Sequence, residues 1–173
     1  VLVTYRLTVQ VFEGKGTEAE PYLISEVEHL EFIGRQVEKE VYYSGMFFKL
    51  TNDIVLPDPE AGSKNNWSPI GNQKIVVNEG VVTTTQTYFF GTLDGGGYAI
   101  KNLVIKEGDS GFAGVFGILA GTVKNLIVES PQISVSGGMV GAVAGWTWTG
   151  NIINCHVTGK AELQTSNGIA GGV

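Results

Sequence analysis

The reading turns on Ile100-Lys-Asn102-Leu-Val-Ile105, which returns nearly unchanged as Val123-Lys-Asn125-Leu-Ile-Val128. A weaker third copy is Ile153-Asn154-Cys155-His-Val157. The aligned asparagines are 23 and 29 residues apart. A small-residue strand follows each copy: Gly114-Val-Phe-Gly117, then Gly141-Ala-Val-Ala-Gly145, then Gly171-Gly-Val173. A period of this length, with two strand signals per unit and no helix signal, predicts an all-β solenoid of stacked coils. Each rung adds backbone hydrogen bonds to neighbours about 4.8 Å away, so one residue type recurs at one place on the cross-section. Asn102, Asn125 and Asn154 suit a turn, because asparagine bonds its own backbone and tolerates left-handed geometry. Gly114, Gly117, Gly141 and Gly145 suit corners or a close approach of rungs. The repeat explains the composition without any ligand.

The whole chain agrees with that reading. Its 173 residues suit one domain or one elongated module and can bury a core without metal or disulfide staples. Apolar residues make up 43% and charged residues 16%, against about 25% charged in an ordinary domain, which excludes disorder. The net charge of −6 argues against a nucleic-acid partner. No uninterrupted apolar run reaches the ~18 residues of a membrane span. One cysteine excludes an internal disulfide framework and a metal site of its own. Residues 81–173 hold five acidic and four basic side chains but eighteen of the 25 glycines, whereas residues 1–80 hold twelve acidic and seven basic. No signal peptide or initiator Met precedes Val1 and the chain stops inside its own repeat, so an excised piece truncated at its C-terminus is expected.

The first half reads as mixed structure. Val1–Phe12 is rich in β-branched and aromatic residues and predicts a strand. Ser25-Glu-Val-Glu28 is a capping-box signature opening a helix over 25–38. Val27, Leu30, Ile33 or Gly34, and Val37 form its apolar stripe, with Glu28, Glu31, Arg35 and Glu38 facing out as a solvated side. Strands follow at 46–50 and 54–56. Pro57-Asp-Pro59 and Gly62-Ser-Lys-Asn-Asn66 then mark a long loop through 80.

Several of these segments carry a family resemblance. Gly16-Thr-Glu-Ala-Glu-Pro-Tyr-Leu-Ile24 resembles the opening motif of bacterial surface proteins with GLUG repeats. Phe48-Lys-Leu-Thr-Asn-Asp53-Ile, Trp67-Ser-Pro-Ile-Gly71 and Phe90-Gly-Thr-Leu-Asp-Gly-Gly-Gly-Tyr-Ala-Ile-Lys-Asn102-Leu resemble its later landmarks. The repeat motif itself resembles 114–117 and 142–145, with Ala142 in place of the first glycine. The resemblance covers about residues 14–173. It implies a right-handed parallel β-helix within large secreted or surface-anchored bacterial proteins, among them adhesin-like proteins and non-catalytic regions of immunoglobulin A-specific metallopeptidases. It brings no catalytic residues. It also gives the helix a task, because the first coil of a solenoid exposes strand edge and apolar interior that a cap must cover.

Chemical motifs weigh little beside plainer explanations. Gly108-Asp-Ser110-Gly111 matches the surroundings of a serine nucleophile, but His29 and His156 lack the setting of a catalytic base. Asp94, Glu107, Asp109, Glu129 and Glu162 show no pairing of the kind glycoside hydrolysis needs. Gly95-Gly-Gly97 reads as a turn, lacking the Lys-Ser/Thr of a phosphate loop. Asp53, Asp58 and Glu60 offer oxygen ligands without a calcium-loop spacing. Asn66-Trp-Ser68 is formally a glycosylation sequon. Cys155 belongs in the core, His156 outside it, and Trp67 in the core. Tyr42-Tyr43, Phe47-Phe48 and Tyr88-Phe89-Phe90 alternate inside and outside. Trp146 and Trp148, two apart on one strand, fold over a solenoid corner, cover a loop, or share a face as a flat sugar platform with Thr147, Thr149 and Asn151 as polar neighbours.

The sequence therefore predicts an all-β, right-handed parallel β-helix with an N-terminal amphipathic helix capping one end. Residues 1–13 form a lead-in strand or the last strand of a preceding Ig-like domain. Residues 14–80 form the cap with its helix and first strands, and 81–173 the repeats. The expected role is a non-enzymatic, adhesin-like or scaffold module, extracellular or on the bacterial cell surface, with no cofactor or metal. A carbohydrate-binding module, or an accessory domain of a large secreted peptidase or glycan-degrading enzyme, are the alternatives. Its partner would be a host or environmental glycan or a surface protein, alongside further domains of the same chain.

Overall fold

The computed structural model describes residues 12–106 and 111–172. The expected lead-in strand lies outside them, apart from residues 12 and 13. Between them the chain winds through about five stacked turns, all but one of its sheets parallel. One sheet stacks Tyr22–Ile24, Phe47–Leu50, Thr92–Asp94, Thr122–Lys124 and Asn151–Ile153, each from a successive turn. A second stacks Ile54–Val55, Ala99–Lys101, Ile127–Glu129 and His156–Thr158. Val104–Ile105, Gln132–Val135 and Glu162–Thr165 make a third. Phe112–Ala113, Gly138–Gly141 and Gly168–Gly171 make a fourth, and Phe116–Leu119 with Ala144–Thr147 a fifth. The fold is a parallel β-solenoid.

Alternate residues of these short strands point inward, and the same inward position recurs one turn later. Leu93, Val123 and Ile152 are partners across three turns, as are Ile100, Val128 and Val157. Among the described residues every fully buried side chain is apolar. Polar side chains are thereby left to the outer faces. Trp67 joins the core with its indole N–H donating to the Val115 carbonyl at 3.0 Å.

The glycine motif stacks in two columns, one residue away from the place the sequence suggests. Val140 pairs with Ala113 and Phe116 with Ala144, so Gly141, not Ala142, lies against Gly114, and Gly145 against Gly117. The extra residue of the later turn falls in Ala142-Val143. None of these four glycines has a positive φ. What they supply is room: a Cβ at Gly145 would stand 2.6 Å from the Ala113 nitrogen and 2.7 Å from the Met139 oxygen. Close approach of turns, rather than corner geometry, fixes them.

The helix spans Val27–Val37 and buries Leu30, Ile33 and Val37 against the core of the first turns. The capping box does not form. Glu26 is the N-cap, no side chain caps it, and the Ser25 N–H donates to His29 Nδ1 at 3.2 Å. A side-chain cap is worth about 1 kcal/mol, whereas burying three aliphatic side chains contributes about 2 kcal/mol each. Packing therefore places the helix and the cap is dispensable.

The expected long loop through 80 holds a β-hairpin instead. Gln73–Asn78 pairs antiparallel with Val81–Gln86 around Glu79-Gly80, whose φ values of +49° and +81° make the tight turn that matches strand twist. The second turn needs 45 residues from Phe47 to Thr92, against 30 from Thr92 to Thr122, and this insertion accounts for the excess. The boundary at 80 thus falls on a hairpin turn, while parallel pairing already joins Phe47–Leu50 to Thr92–Asp94.

Gly145→Ala is expected to destabilise the chain by about 2 kcal/mol through overpacking. Gly171→Ala, in the column of Gly141 but with nothing within 4 Å of the added methyl, should change stability by less than about 0.5 kcal/mol. Thermal melts followed by circular dichroism compare them, and equal losses would contradict the close stacking.

Candidate functional site

The repeated asparagines occupy two corners rather than one. Asn125 and Asn154, at φ +53° and +50°, follow strands that are partners, Lys124 with Ile153. Asn154 Nδ2 donates to Asn125 Oδ1 at 2.8 Å, and Asn125 Nδ2 to Asp94 Oδ1 at 3.0 Å. Asn102 also has a left-handed φ of +60°, but Lys101 pairs with Glu129, which sets Asn102 beside Ser130 at the next corner. There its Nδ2 donates to the Leu56 carbonyl at 3.0 Å and to Asp58 Oδ1 at 3.1 Å. Both corners demand a left-handed residue after a strand, so one short motif serves each.

The charged groups run along the stack in the same manner. Lys101 Nζ lies 2.9 Å from Asp53 and 3.4 Å from Glu129, and Lys124 3.6 Å from Asp94, each across turns, while Lys160 lies 2.7 Å from Glu162 within its own turn. Asp53 Oδ1 also accepts the Ala99 N–H at 2.9 Å. That backbone bond and the Lys101 ammonium hold the Asp53 carboxyl below its usual range. Burial alone would raise Asp94, yet the Asn125 amide, the Gly96 N–H and Lys124 together lower it. Asp53 and Asp58 are thus tied to different partners, and among the described residues no group of three His, Cys, Asp or Glu could hold a metal ion. Gly108–Ser110, Glu107 and Asp109 lie outside the described residues. His156 is exposed, 3.2 Å from Asn154 Oδ1, and Cys155 is half-buried with its thiol pKa raised by burial.

The two tryptophans do not form one platform. Trp146 stacks on Phe112 with ring centroids 5.2 Å apart, whereas Trp148 stacks on Tyr88 at 5.1 Å. Thr147 and Thr149 are exposed, Asn151 opens the next strand, and Trp148 lies just beyond its own strand, which ends at Thr147. Tyr88 meets Phe90 at 5.9 Å, and Phe90 meets Tyr42 at 5.9 Å. The result is a row of rings from three turns, Tyr42, Phe90, Tyr88 and Trp148, with Trp148 45% exposed. The register through Phe89, Leu119 and Thr147 puts only Ala120 between Phe90 and Trp148, and its small side chain lets rings two turns apart approach. The Tyr88 hydroxyl donates to Gln86 Oε1 at 2.7 Å at the hairpin base. The outward aromatics are legible in the sequence, but their meeting depends on the hairpin that returns the chain at Tyr88.

A cleft of about 500 Å³ opens elsewhere, between the 57–69 loop and the turns carrying Ile105, Phe112 and Val135. Asn66 pins that loop: its Nδ2 donates to the Pro57 and Asn102 carbonyls at 2.7 and 2.6 Å, and its Oδ1 accepts the Val104 N–H at 2.9 Å. The volume lies in the range of small-ligand sites. No repeat period marks it, since its wall is irregular chain.

The fold and its outer faces define a parallel β-solenoid with an N-terminal helix, an aromatic row and a side cleft. No family model matches the chain. It is 30% identical over 136 residues to a candidate glycine-rich membrane protein of Evansella cellulosilytica, in an alignment covering 76% of this chain and 14% of that protein. It is 30% identical over 165 residues to halomucin of Haloquadratum walsbyi, covering 94% of this chain and 2% of that one. The chain therefore spans a small part of the curated relatives it matches. Among solved structures it is similar in fold to a candidate immunoglobulin A1 protease of Bacteroides ovatus, at 22% identity and a TM-score of 0.52 over 84% of this chain and 40% of that one.

The depressed carboxyls set a pH dependence. A group whose folded pKa is lowered stabilises above its unfolded value, near 4, and that contribution disappears as pH falls through the folded value. The melting temperature should therefore drop as pH is lowered below about 4. Asp94→Asn should show a shallower drop than the parent chain, and parallel acid limbs would contradict the inter-turn pairing.

Proposed function

We propose that this chain is a non-enzymatic, adhesin-like module of a longer secreted or surface-exposed protein, rigid enough to act as a scaffold and bearing an outward aromatic face. The observation that carries the reading is the row of Tyr42, Phe90, Tyr88 and Trp148 on the solenoid exterior. Rings held by several turns present apolar area without the ordering cost of a mobile loop. The outer carboxylates support the same reading, because Asp53, Asp94, Glu129 and Glu162 are engaged with lysines. Extracellular placement is supported by the names of the relatives, a glycine-rich membrane protein and halomucin, and by the resemblance to GLUG-repeat surface proteins. Among the described residues no helix is long and apolar enough to cross a membrane. An accessory role in a secreted peptidase is the second reading, favoured by the fold shared with the candidate immunoglobulin A1 protease.

A screen of the chain against glycans, mucins and surface proteins, read by tryptophan fluorescence, tests it. A ligand seated on the aromatic row should lose about tenfold in affinity, or 1.4 kcal/mol, on Trp148→Ala. Turnover of any polysaccharide or peptide by the chain, or a complete lack of binding across the panel, would contradict the reading.

A further inference from the structure

The cleft beside the 57–69 loop has two unlike walls. Trp67, Ile105, Phe112 and Val135 give it apolar surface, while Asp58, Glu60 and Glu31 line the other side together with Ser63 and Ser68. Among the described residues that line it are three carboxylates and no lysine or arginine. The Arg35 guanidinium is 3.2 Å from one oxygen of Glu31, which it pairs, and it lines an adjoining smaller hollow. Asp58 Oδ1 is taken by Asn102 Nδ2 at 3.1 Å, whereas the Glu60 side chain has no hydrogen-bond or ion-pair partner among the described residues. The polar wall is thus rich in acceptors with charge of one sign.

That combination selects a ligand by its chemistry. A wall of exposed carboxylates suits a guest that donates hydrogen bonds, because bonds to a charged acceptor are the stronger kind. Carboxylate and sulfate groups on the guest would be repelled by the exposed Asp58 and Glu60 carboxylates, Glu31 being paired with Arg35. An apolar wall with the half-buried ring of Phe112 calls for a guest with a flat C–H face. A pyranose offers both at once, with hydroxyl donors around its edge and C–H bonds on its face. The about 500 Å³ available accommodates a few sugar units rather than one water-filled crevice. A second hollow of about 250 Å³ shares Glu31 and residues 66–69 with it.

We propose that this cleft binds a short uncharged oligosaccharide, with the Phe112 ring beneath a sugar face and the Asp58 and Glu60 carboxylates accepting from its hydroxyls. The inference goes beyond the adhesin-like reading, because it assigns a ligand class to a second site away from the aromatic row.

Isothermal titration of the chain with cellohexaose, mannohexaose and N-acetylchitohexaose as neutral probes, and hexagalacturonate as the anionic one, tests it. At least one neutral hexasaccharide should bind saturably, and hexagalacturonate at least about tenfold more weakly. Phe112→Ala should weaken neutral binding about tenfold. Because Phe112 also supports Trp146, Glu60→Gln at an exposed side chain provides a second variant that leaves the core untouched, and it should narrow the preference for neutral over anionic sugar. Trp148→Ala should leave this binding unchanged. No neutral binding, equal affinity for hexagalacturonate, or indifference to both cleft variants would overturn the cleft. Neutral binding lost on Trp148→Ala alone would overturn it too, while leaving the adhesin-like reading in place.

Discussion

Parallel stacking of one turn on the next governs everything else in this molecule. Backbone hydrogen bonds hold successive turns about 4.8 Å apart, so each side chain packs chiefly on its equivalents above and below. Inward positions must be apolar in every turn, and Leu93, Val123 and Ile152 obey that rule. Positions where turns converge must lack a side chain, which is why Gly117 and Gly145 stand where they do. Outward positions form ladders, and Asp94, Asn125 and Asn154 show how a polar group is satisfied by its neighbour one turn away.

The same constraint separates scaffold from site. Regular turns use up their polar groups in inter-turn contacts, as Lys101 does between Asp53 and Glu129. Both candidate binding features arise where the chain departs from the regular turn. The 57–69 loop takes the place of a strand and walls the cleft, and the 73–86 hairpin is followed by Tyr88 and Phe90 of the aromatic row. Rigidity comes from the repeat and recognition from its interruptions.

Much of the architecture was legible in the sequence because a solenoid writes its period into the chain. The apolar stripe of the helix and the burial of Trp67 follow from single-residue chemistry, whereas the glycine motif stacks one residue away from its letters because the later turn holds an extra residue. The asparagine alignment misled by one corner. Its 23-residue step from Asn102 to Asn125 disagrees with the 27-residue step from Gly114 to Gly141, and only the second is a full turn. The hairpin was hidden by its Glu-Gly turn, whose glutamate takes a left-handed φ that asparagine or glycine would have announced. The capping box was present as letters but yielded to packing of Leu30, Ile33 and Val37. The cleft and the meeting of Tyr88 with Trp148 depend on contacts between distant segments, which no local pattern encodes.

The register of the stack is the central claim, and nuclear Overhauser contacts between backbone protons of adjacent turns measure it directly. The account predicts contacts from Val123 to both Leu93 and Ile152, and from Val128 to Ile100. Contacts from Val123 to Ile100 would place Asn102 and Asn125 at one corner and contradict it.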